Sequence, residues 1–483
     1  MKRALIVGLS VVLGLLLVLV LRTLALSPPD RVPAAQLPAL DGAQSAAALS
    51  RLSTALQFKT LPDHADDFSA FHTFLRQSFP LVHRRLSLEK FGHSLLYHWP
   101  GGEQCAPLLL TAHQDIVPVE APQAWQHPPF DGVIENGYIW GRGSMDDKGS
   151  LMAILESAEA MLAKGDAPPC DVWLAFGHDE ETGGTHGAAV MAAELLSKGL
   201  RFAMVLDEGG MVLPGETLGV DGRVALIGIA EKGYLSVTLE AHGAAGHSSR
   251  PPNNSAVSVL AHALVALQDS PRPAALSGPT RLMLEQVAPY QSFVRRLVFA
   301  NLWMFEPVVI HQLAAKPDTH ALLRTTMAPT MLNAGVKDNV LPATARAVIN
   351  FRLAPGETRE SLMLWLEQTL PVGVEASIFD GFFAEPSAIS PTDSPAYRQL
   401  SALAEGLPSE PLPVPFLLIA GTDARHYQAL SDSVYRFLPM SLSREDVARF
   451  HGANERLAVA QYQAMMRFYA GVLASRFDPS EAP

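Results

Sequence analysis

The chain opens with an uninterrupted apolar run, Ala4 to Leu21, placed directly after Lys2 and Arg3. About 20 apolar residues cross the hydrocarbon core of a bilayer as a helix, so the run predicts an N-terminal transmembrane anchor within residues 1–26. The segment after it, Arg22-Thr23-Leu24-Ala25-Leu26, offers a poor small-x-small cleavage site. That favours an uncleaved anchor, with a removed secretion signal as the alternative. Lys2 and Arg3 would hold the short end in the cytoplasm and place the body outside it, periplasmic or extracellular. Residues 27–45, rich in Pro and Ala, read as a linker.

From 46 to 228 short apolar runs alternate with amphipathic stretches. "APLLLTAH", "DVWLAFGH" and "RFAMVLDEGG" read as buried strands, while Leu151, Ile154, Leu155, Ala158 and Leu162 recur at helical spacing. This predicts an α/β catalytic domain, a mixed sheet flanked by helices. The pattern changes near Glu231, where "YLSVTLEAHG" and later "ATARAVINFRLAP" alternate as strands with one solvated face do. Residues 229–385 are read as an inserted α+β lid or dimerisation domain, and 386–483 as the second part of the catalytic domain. Within the insert, residues from about 275 to 332 are expected to be helical and apolar. They either pack on the lid as an extra element or line a greasy pocket through Trp303, Met304 and Phe305. "ANERLAVAQYQAMMRFYAGVLASRF" is expected to close the fold as a helix.

Composition narrows the class. Hydrophobic residues make up 48% and charged residues 17%, which suits a folded chain rather than a disordered one. A net charge of -12 without a basic stripe argues against a nucleic-acid partner. The two cysteines, Cys105 and Cys170, each precede a strand-like run, so they either bridge neighbouring strands or stay as two thiols. With no CxxC spacing, any metal must be held by His and carboxylates.

Catalytic groups of an open α/β sheet gather at the carboxyl ends of its strands, and titratable residues cluster there in this sequence. His113 and Asp115 lie two apart at a strand end and share a side; a metal-bound His commonly donates its other ring N–H to a carboxylate. Asp146 follows a Gly-rich turn and can bridge two cations with its two oxygens, with Asp147 as a rival for that role or for the helix cap. Adjacent Glu180 and Glu181 diverge in direction, so one can ligate while the other faces a bound water. Asp207 ends the third strand, with Glu208 as a rival ligand, and His451 precedes the last helix. Imidazole and carboxylate donors around an open position suit catalytic zinc.

The motifs "TAHQDIVPV", "WQHPPFDGVIENGYIWGRGSMDDKGS", "GHDEETGG", "LDEGG", "GAAGHSSRP", "ALLRTTMAPTMLNAGVKDNVLPATARAVINFRL", "GTDARHY" and "HGANE" occur in this order. With them the chain resembles M20 metallopeptidases from about 50 to 475, and most the carboxypeptidase S and PM20D1-like N-acyl-amino-acid hydrolase branch. The resemblance implies two Zn2+ ions, with Co2+ or Mn2+ as substitutes. It assigns His113, Asp146 and Asp207 to one ion and Asp146, Glu181 and His451 to the other. It makes Glu180 the general base and Asp115 the partner of the metal-binding His. It implies that His247 stabilises the oxyanion in a partner subunit's site, so a homodimer through the lid would follow. Asn339, Arg352, Gly421 and Thr422 match positions that hold the substrate carboxylate, while Ala420 departs from the glycine common in relatives.

These features give a di-zinc metallohydrolase that cleaves an amide bond in small carboxylate-bearing substrates, as a carboxypeptidase or dipeptidase. An N-acyl-amino-acid amidohydrolase, accepting long acyl chains, is the alternative. An inactive binding module is disfavoured because every ligand position and Glu180 hold competent residue types.

Overall fold

The computed structural model describes residues 2–28, 33–62, 64–102, 105–276 and 278–476. Part of the expected linker, 29–32, and the last residue of the expected closing helix, Phe477, lie outside them.

Nine strands form the larger sheet. Across it run Ser87–Phe91, Ser94–Trp99, Val172–Gly177, Leu108–His113, Met204–Asp207, Val434–Arg436, Arg223–Glu231 and Leu412–Leu418, with Val212–Pro214 beside Arg223–Glu231. The three strands expected from apolar runs are therefore Leu108–His113, Val172–Gly177 and Met204–Asp207. They run parallel and are buried along their whole length, as strands covered on both faces must be. On one face the helices Lys148–Lys164 and Val459–Leu473 bury Leu151, Ile154, Leu155 and Phe468 against Leu110, Leu174 and Leu206. On the other, Met191 and Leu195 of Ala188–Ser197 pack on Leu109, Trp173 and Val205. Burying each such side chain contributes about 1.5–3 kcal/mol, enough in sum to fix the strand ends that carry the chemistry.

A second sheet of four strands, in the order Thr326–Ala334, Thr344–Leu353, Gly233–His242 and Val374–Ile378, is antiparallel. Gly233–His242 alternates buried and half-buried residues, as its period of two predicts. Leu260 and Leu366 of the helices Ala256–Asp269 and Arg359–Thr369 cover its inner face. The chain crosses between sheets at Lys232, since the large-sheet strand runs on to Glu231 and the small-sheet strand starts at Gly233. The buried Lys232 ammonium donates to the Ala321 and Arg324 carbonyls and to the Thr326 hydroxyl. Burial, then Arg352, lowers its pKa to about 7.

Two expectations are corrected here. The apolar helices Gly278–Val287, Phe293–Ala300 and Leu302–Ala314 pack on the larger sheet, not on the lid: Leu284, Leu302 and Val309 share a core with Val224, Leu226, Leu412 and Val414. Composition shows that such helices need cover, but which strands supply it depends on pairings distant in sequence. The closing helix starts only at Val459, because Arg456–Ala458 is claimed as a strand by Tyr138–Trp140.

At the N-terminus, Lys2–Ala25 is one helix, and its stretch Arg3–Ala25 is long and apolar enough to cross a membrane. Cys105 and Cys170 form a disulfide with Cα atoms 5.3 Å apart, closing a loop across a sequence separation of 65. Closing a loop of that length stabilises by about 4 kcal/mol in the chain-entropy picture. Replacing both cysteines with serine is expected to lower unfolding stability in urea by roughly that amount and leave kcat unchanged; an unaltered midpoint would contradict it.

Candidate metal centre and active site

Because the strands are parallel and in register, His113 lies opposite Gly177, and the segments that follow each strand emerge side by side. Asp115 organises this edge. Fully buried, it accepts the N–H groups of Glu180 (3.3 Å) and Glu181 (3.0 Å), while His113 Nδ1 lies 3.0 Å from its carbonyl and 3.4 Å from its carboxylate. One side chain therefore orients an imidazole and the turn that carries both glutamates. That turn, Glu180–Thr182, ends in Gly183 (φ 106°) and Gly184 (φ 66°). A Cβ on Gly183 would meet the Phe382 ring at 2.5 Å, and one on Gly184 would meet Asp423 Oδ1 at 2.0 Å. Only glycine fits both the backbone and the space.

Asp146 stands at the centre. One of its oxygens lies 2.9 Å from His113 Nε2 and the other 3.0 Å from His451 Nε2. Glu181 reaches His451 at 3.4 Å, and Glu208 reaches His113 at 3.4 Å. The donor atoms of His113, Asp146 and Glu181 lie within 4.8 Å of one another, as do those of His113, Asp147 and Glu208.

Asp207 does not join them. Its carboxylate turns into the protein, accepting the Thr111 hydroxyl and the Ala424 N–H (2.6 Å), and it is the next residue, Glu208, that faces the cluster. Residues alternate sides along a strand, so at "LDEGG" a shift of one position decides which carboxylate points where.

The local electrostatics call for cations. Burial first, and the neighbouring carboxylates after it, push Glu180, Glu208 and Asp147 well above the ordinary carboxylate range. Burial would lower the His113 pKa, but Glu208, Asp115 and Asp146 outweigh it and raise it strongly. Asp146, then Glu181, raise that of His451 to about 10. Glu181 Oε1 is buried with no hydrogen-bond partner. Converging carboxylates with an unpartnered buried oxygen and two imidazoles are stable together when a divalent charge lies between them, so the residues fit metal ions.

The cleft holds about 650 Å³ and is lined by Asp146, Glu180, Glu181, Glu208 and His451 together with Arg352, Gly421 and Thr422. Arg352 stacks over Tyr234 (4.7 Å) and enters none of the ion pairs among the described residues. Burial, opposed by Tyr234 and then reinforced by the Arg425 charge, nets a lowered pKa. Thr422 gives both its N–H and its hydroxyl to buried Glu231, so its donors hold the loop in place beside the cleft. His247 and Asn339 do not line the cleft. Both lie on the exposed ribbon where Gly246–His247 pairs with Val340–Leu341. Nor do Trp303, Met304 or Phe305 line it, and the first two are exposed.

Three residues escaped sequence reasoning. Arg425 lines the cleft with its guanidinium 3.5 Å from Glu180 and stacked on Phe382. Arg142 and Glu455 form a buried pair at 2.6 Å. Glu455 also accepts the Met145 and Asp146 N–H groups, and Arg142 donates to the carbonyls of His451 and Gly452. This pair ties the Asp146 loop to the His451 loop across the chain. The signal was present as charges inside the Gly-rich "GRGSMDD" and "HGANE".

Carboxylates and imidazoles converging in one cleft are groups that hydrolytic chemistry can use. Comparison with known proteins supplies the family: the chain belongs to the M20 peptidases, and a profile of Peptidase family M20/M25/M40 matches residues 109–475. It is 38% identical over 480 residues to the probable carboxypeptidase S-like 2 of Dictyostelium discoideum, covering 95% of this chain and 92% of that one. It is 37% identical over 406 residues to the N-fatty-acyl-amino acid synthase/hydrolase PM20D1 of Xenopus tropicalis, covering 83% and 79%. The fold resembles the M20 family metallo-carboxypeptidase Sso-CP2 from Sulfolobus solfataricus, with a TM-score of 0.66 at 20% identity over 90% of this chain and 99% of that one. The chain is thus an M20 enzyme with metallopeptidase or amidohydrolase activity.

Replacing Glu208 with Gln is expected to lower the divalent metal retained per chain, read by plasma mass spectrometry. Asp207→Ala should keep the metal but cost roughly 1–3 kcal/mol of stability, by stranding the Ala424 N–H and the Thr111 hydroxyl. Metal loss in the Asp207 variant alone would reverse the assignment.

Proposed function

We propose that this enzyme is a di-zinc carboxypeptidase or dipeptidase that cleaves the amide bond next to a free carboxylate in small substrates. The observation that carries the reading is the pair Arg352 and Arg425 in the same cleft as Glu180 and the histidine and carboxylate cluster. His113, Asp147 and Glu208 on one side, and His451 and Glu181 on the other, would hold the two ions, with Asp146 between them. The ions supply Lewis-acid activation of water and of the scissile carbonyl. Glu180, held by Asp115 through its own N–H, takes the water proton and returns it to the leaving nitrogen. Its neighbour Arg425 keeps the carboxylate aimed into the cleft. Arg352, stacked on Tyr234 and lacking an acidic partner of its own, takes the substrate carboxylate, with the loop at Gly421 beside it.

His247 and Asn339 lie too far out on their ribbon to line their own cleft, so a role for them in the reaction runs through a second copy bound at the lid. The N-terminal helix anchors the body to a membrane with the cleft outside the cytoplasm.

One observation favours a second reading, an N-acyl-amino-acid amidohydrolase. The same cleft is also lined by Met211, Leu418, Ile419, Leu438, Val447 and Phe450, which suits an acyl chain or a large apolar side chain. Comparing hydrolysis of an N-blocked dipeptide with that of a long-chain N-acyl amino acid separates the two, because the faster kcat/KM identifies the class.

Glu180→Gln is expected to cut kcat by about 10²–10⁴-fold with metal retained. Near-normal turnover would refute its role. Arg352→Met should raise KM for carboxylate substrates by roughly 10–100-fold, as the loss of a charge-assisted contact implies, and leave an amidated analogue unaffected. An equal effect on both substrates would show that Arg352 does not read the carboxylate.

A further inference from the structure

The helices Phe293–Ala300 and Leu302–Ala314 meet at 114°, and the bend is where the N-terminal helix comes to rest. Only 6% of the most apolar window of that helix is buried, and the buried part lies near its carboxyl end, at Leu19 and Thr23. There Asn301, fully buried at the bend, donates to the Leu19 carbonyl (3.2 Å), the Thr23 hydroxyl (3.4 Å) and the Leu297 carbonyl (2.8 Å). Arg296 donates to the Leu26 carbonyl. These contacts fix the bent pair at a defined height along the apolar helix.

That height decides what covers the pair. Leu19 still belongs to the apolar run, and Arg22, its first charge, lies about 4.5 Å further along at 1.5 Å per residue. The bend is therefore level with the last apolar turn and not with the aqueous side. The outer surface of the pair carries five large exposed apolar side chains, with Arg295, His311 and Gln312 exposed beside them. Phe293 is 55% exposed, Val294 72%, Trp303 57%, Met304 41% and Val308 49%. The three on the second helix, at 303, 304 and 308, share one face by helical spacing. The opposite face, Leu302 and Val309, is already used against the large sheet. Trp303 borders a cavity of about 450 Å³ with Arg22, Leu26 and Arg281. Glu285 also lines this cavity and Arg281 pairs with Glu306 at 2.8 Å, which leaves Arg22 as the guanidinium beside Trp303 at the apolar helix end, a Trp and Arg combination that suits headgroup depth.

We propose that the bent helix pair Phe293–Ala314 beds into the same lipid surface that receives the N-terminal helix, as a second, interfacial attachment of the body. The proposal rests on reading Lys2–Ala25 as a membrane segment. The bed fixes the orientation of the catalytic sheet to the membrane, because the core behind the pair includes Leu417 of the strand whose end, Leu418, lines the cleft. Amphipathic substrates dissolved in the leaflet would then be presented close to the cleft.

Both native cysteines are tied in the disulfide, so a single introduced cysteine is the one free thiol. The full chain is reconstituted in vesicles of phosphatidylcholine and phosphatidylglycerol, with a fluorophore at Val294→Cys, Met304→Cys or Val308→Cys, and quenched by nitroxide-bearing lipid. Val12→Cys, on the apolar helix, and Val372→Cys, fully exposed in the turn before the strand Val374–Ile378, serve as references. Labels at 294, 304 and 308 are expected to be quenched several-fold more than the label at 372 and to approach the label at 12. If the label at 12 is quenched while those at 294, 304 and 308 match 372, the second attachment is overturned and the anchor stands. If the label at 12 also matches 372, both fail. Labels at 294, 304 and 308 shielded from water-soluble quencher yet untouched by the lipid nitroxide would point to a protein partner or a second copy and overturn the lipid assignment.

Discussion

Concentrating largely buried acidic side chains at one cleft is the constraint on which this structure turns. Asp146, Asp147, Glu180, Glu181 and Glu208 crowd around His113 and His451, and bringing such groups together in a low-dielectric site costs several kcal/mol per uncompensated charge. The fold holds them there by fixing their backbones in well-packed parallel strands and by anchoring the turns with further buried groups. Asp115 clamps the Glu180–Glu181 turn, Glu455 and Arg142 clamp the loops of Asp146 and His451, and Glu231 clamps the Thr422 loop. Divalent cations then relieve the repulsion, so the arrangement that is costly for the bare chain becomes the source of metal affinity.

The same cleft also carries two guanidiniums. Arg352 comes from the small sheet and Arg425 from the segment after the last long strand of the large one, so the cationic lining of the cleft is assembled from both sheets. Each guanidinium is backed by an aromatic face, Tyr234 or Phe382; Arg425 lies 3.5 Å from Glu180, while Arg352 enters no ion pair among the described residues. The cleft thus combines a cluster of carboxylates and imidazoles with an unpaired guanidinium, Arg352, and a second, Arg425, that joins the cluster through Glu180.

Much of this was legible in the sequence because it is local. Apolar runs gave the three parallel strands, and strand-end motifs gave His113, Asp115, Asp146, Glu180, Glu181 and His451 as one group. What was not legible depends on side-chain direction or on partners distant in the chain. At "LDEGG" the letters allow Asp207 or Glu208, and the choice follows from which face of the strand meets Thr111 and Ala424. Arg142 and Glu455 looked like ordinary charges within glycine-rich motifs until their 2.6 Å pairing across the fold gave them a purpose. The helices after residue 277 were recognisable as apolar, yet the surface they cover belongs to Arg223–Glu231 and Leu412–Leu418, far away in sequence. Their remaining exposed face is one that a soluble domain would have little reason to keep.

We propose as the centre of this reading that two cations would be held on either side of Asp146, by His113 and Glu208 on one side and His451 and Glu181 on the other. Anomalous diffraction from zinc-loaded crystals, collected on both sides of the zinc absorption edge, tests it directly. The account predicts two peaks, about 3.5–4 Å apart, on either side of the Asp146 carboxylate. A single peak, or one seated on the Asp207 carboxylate with Glu208 turned away, would contradict it.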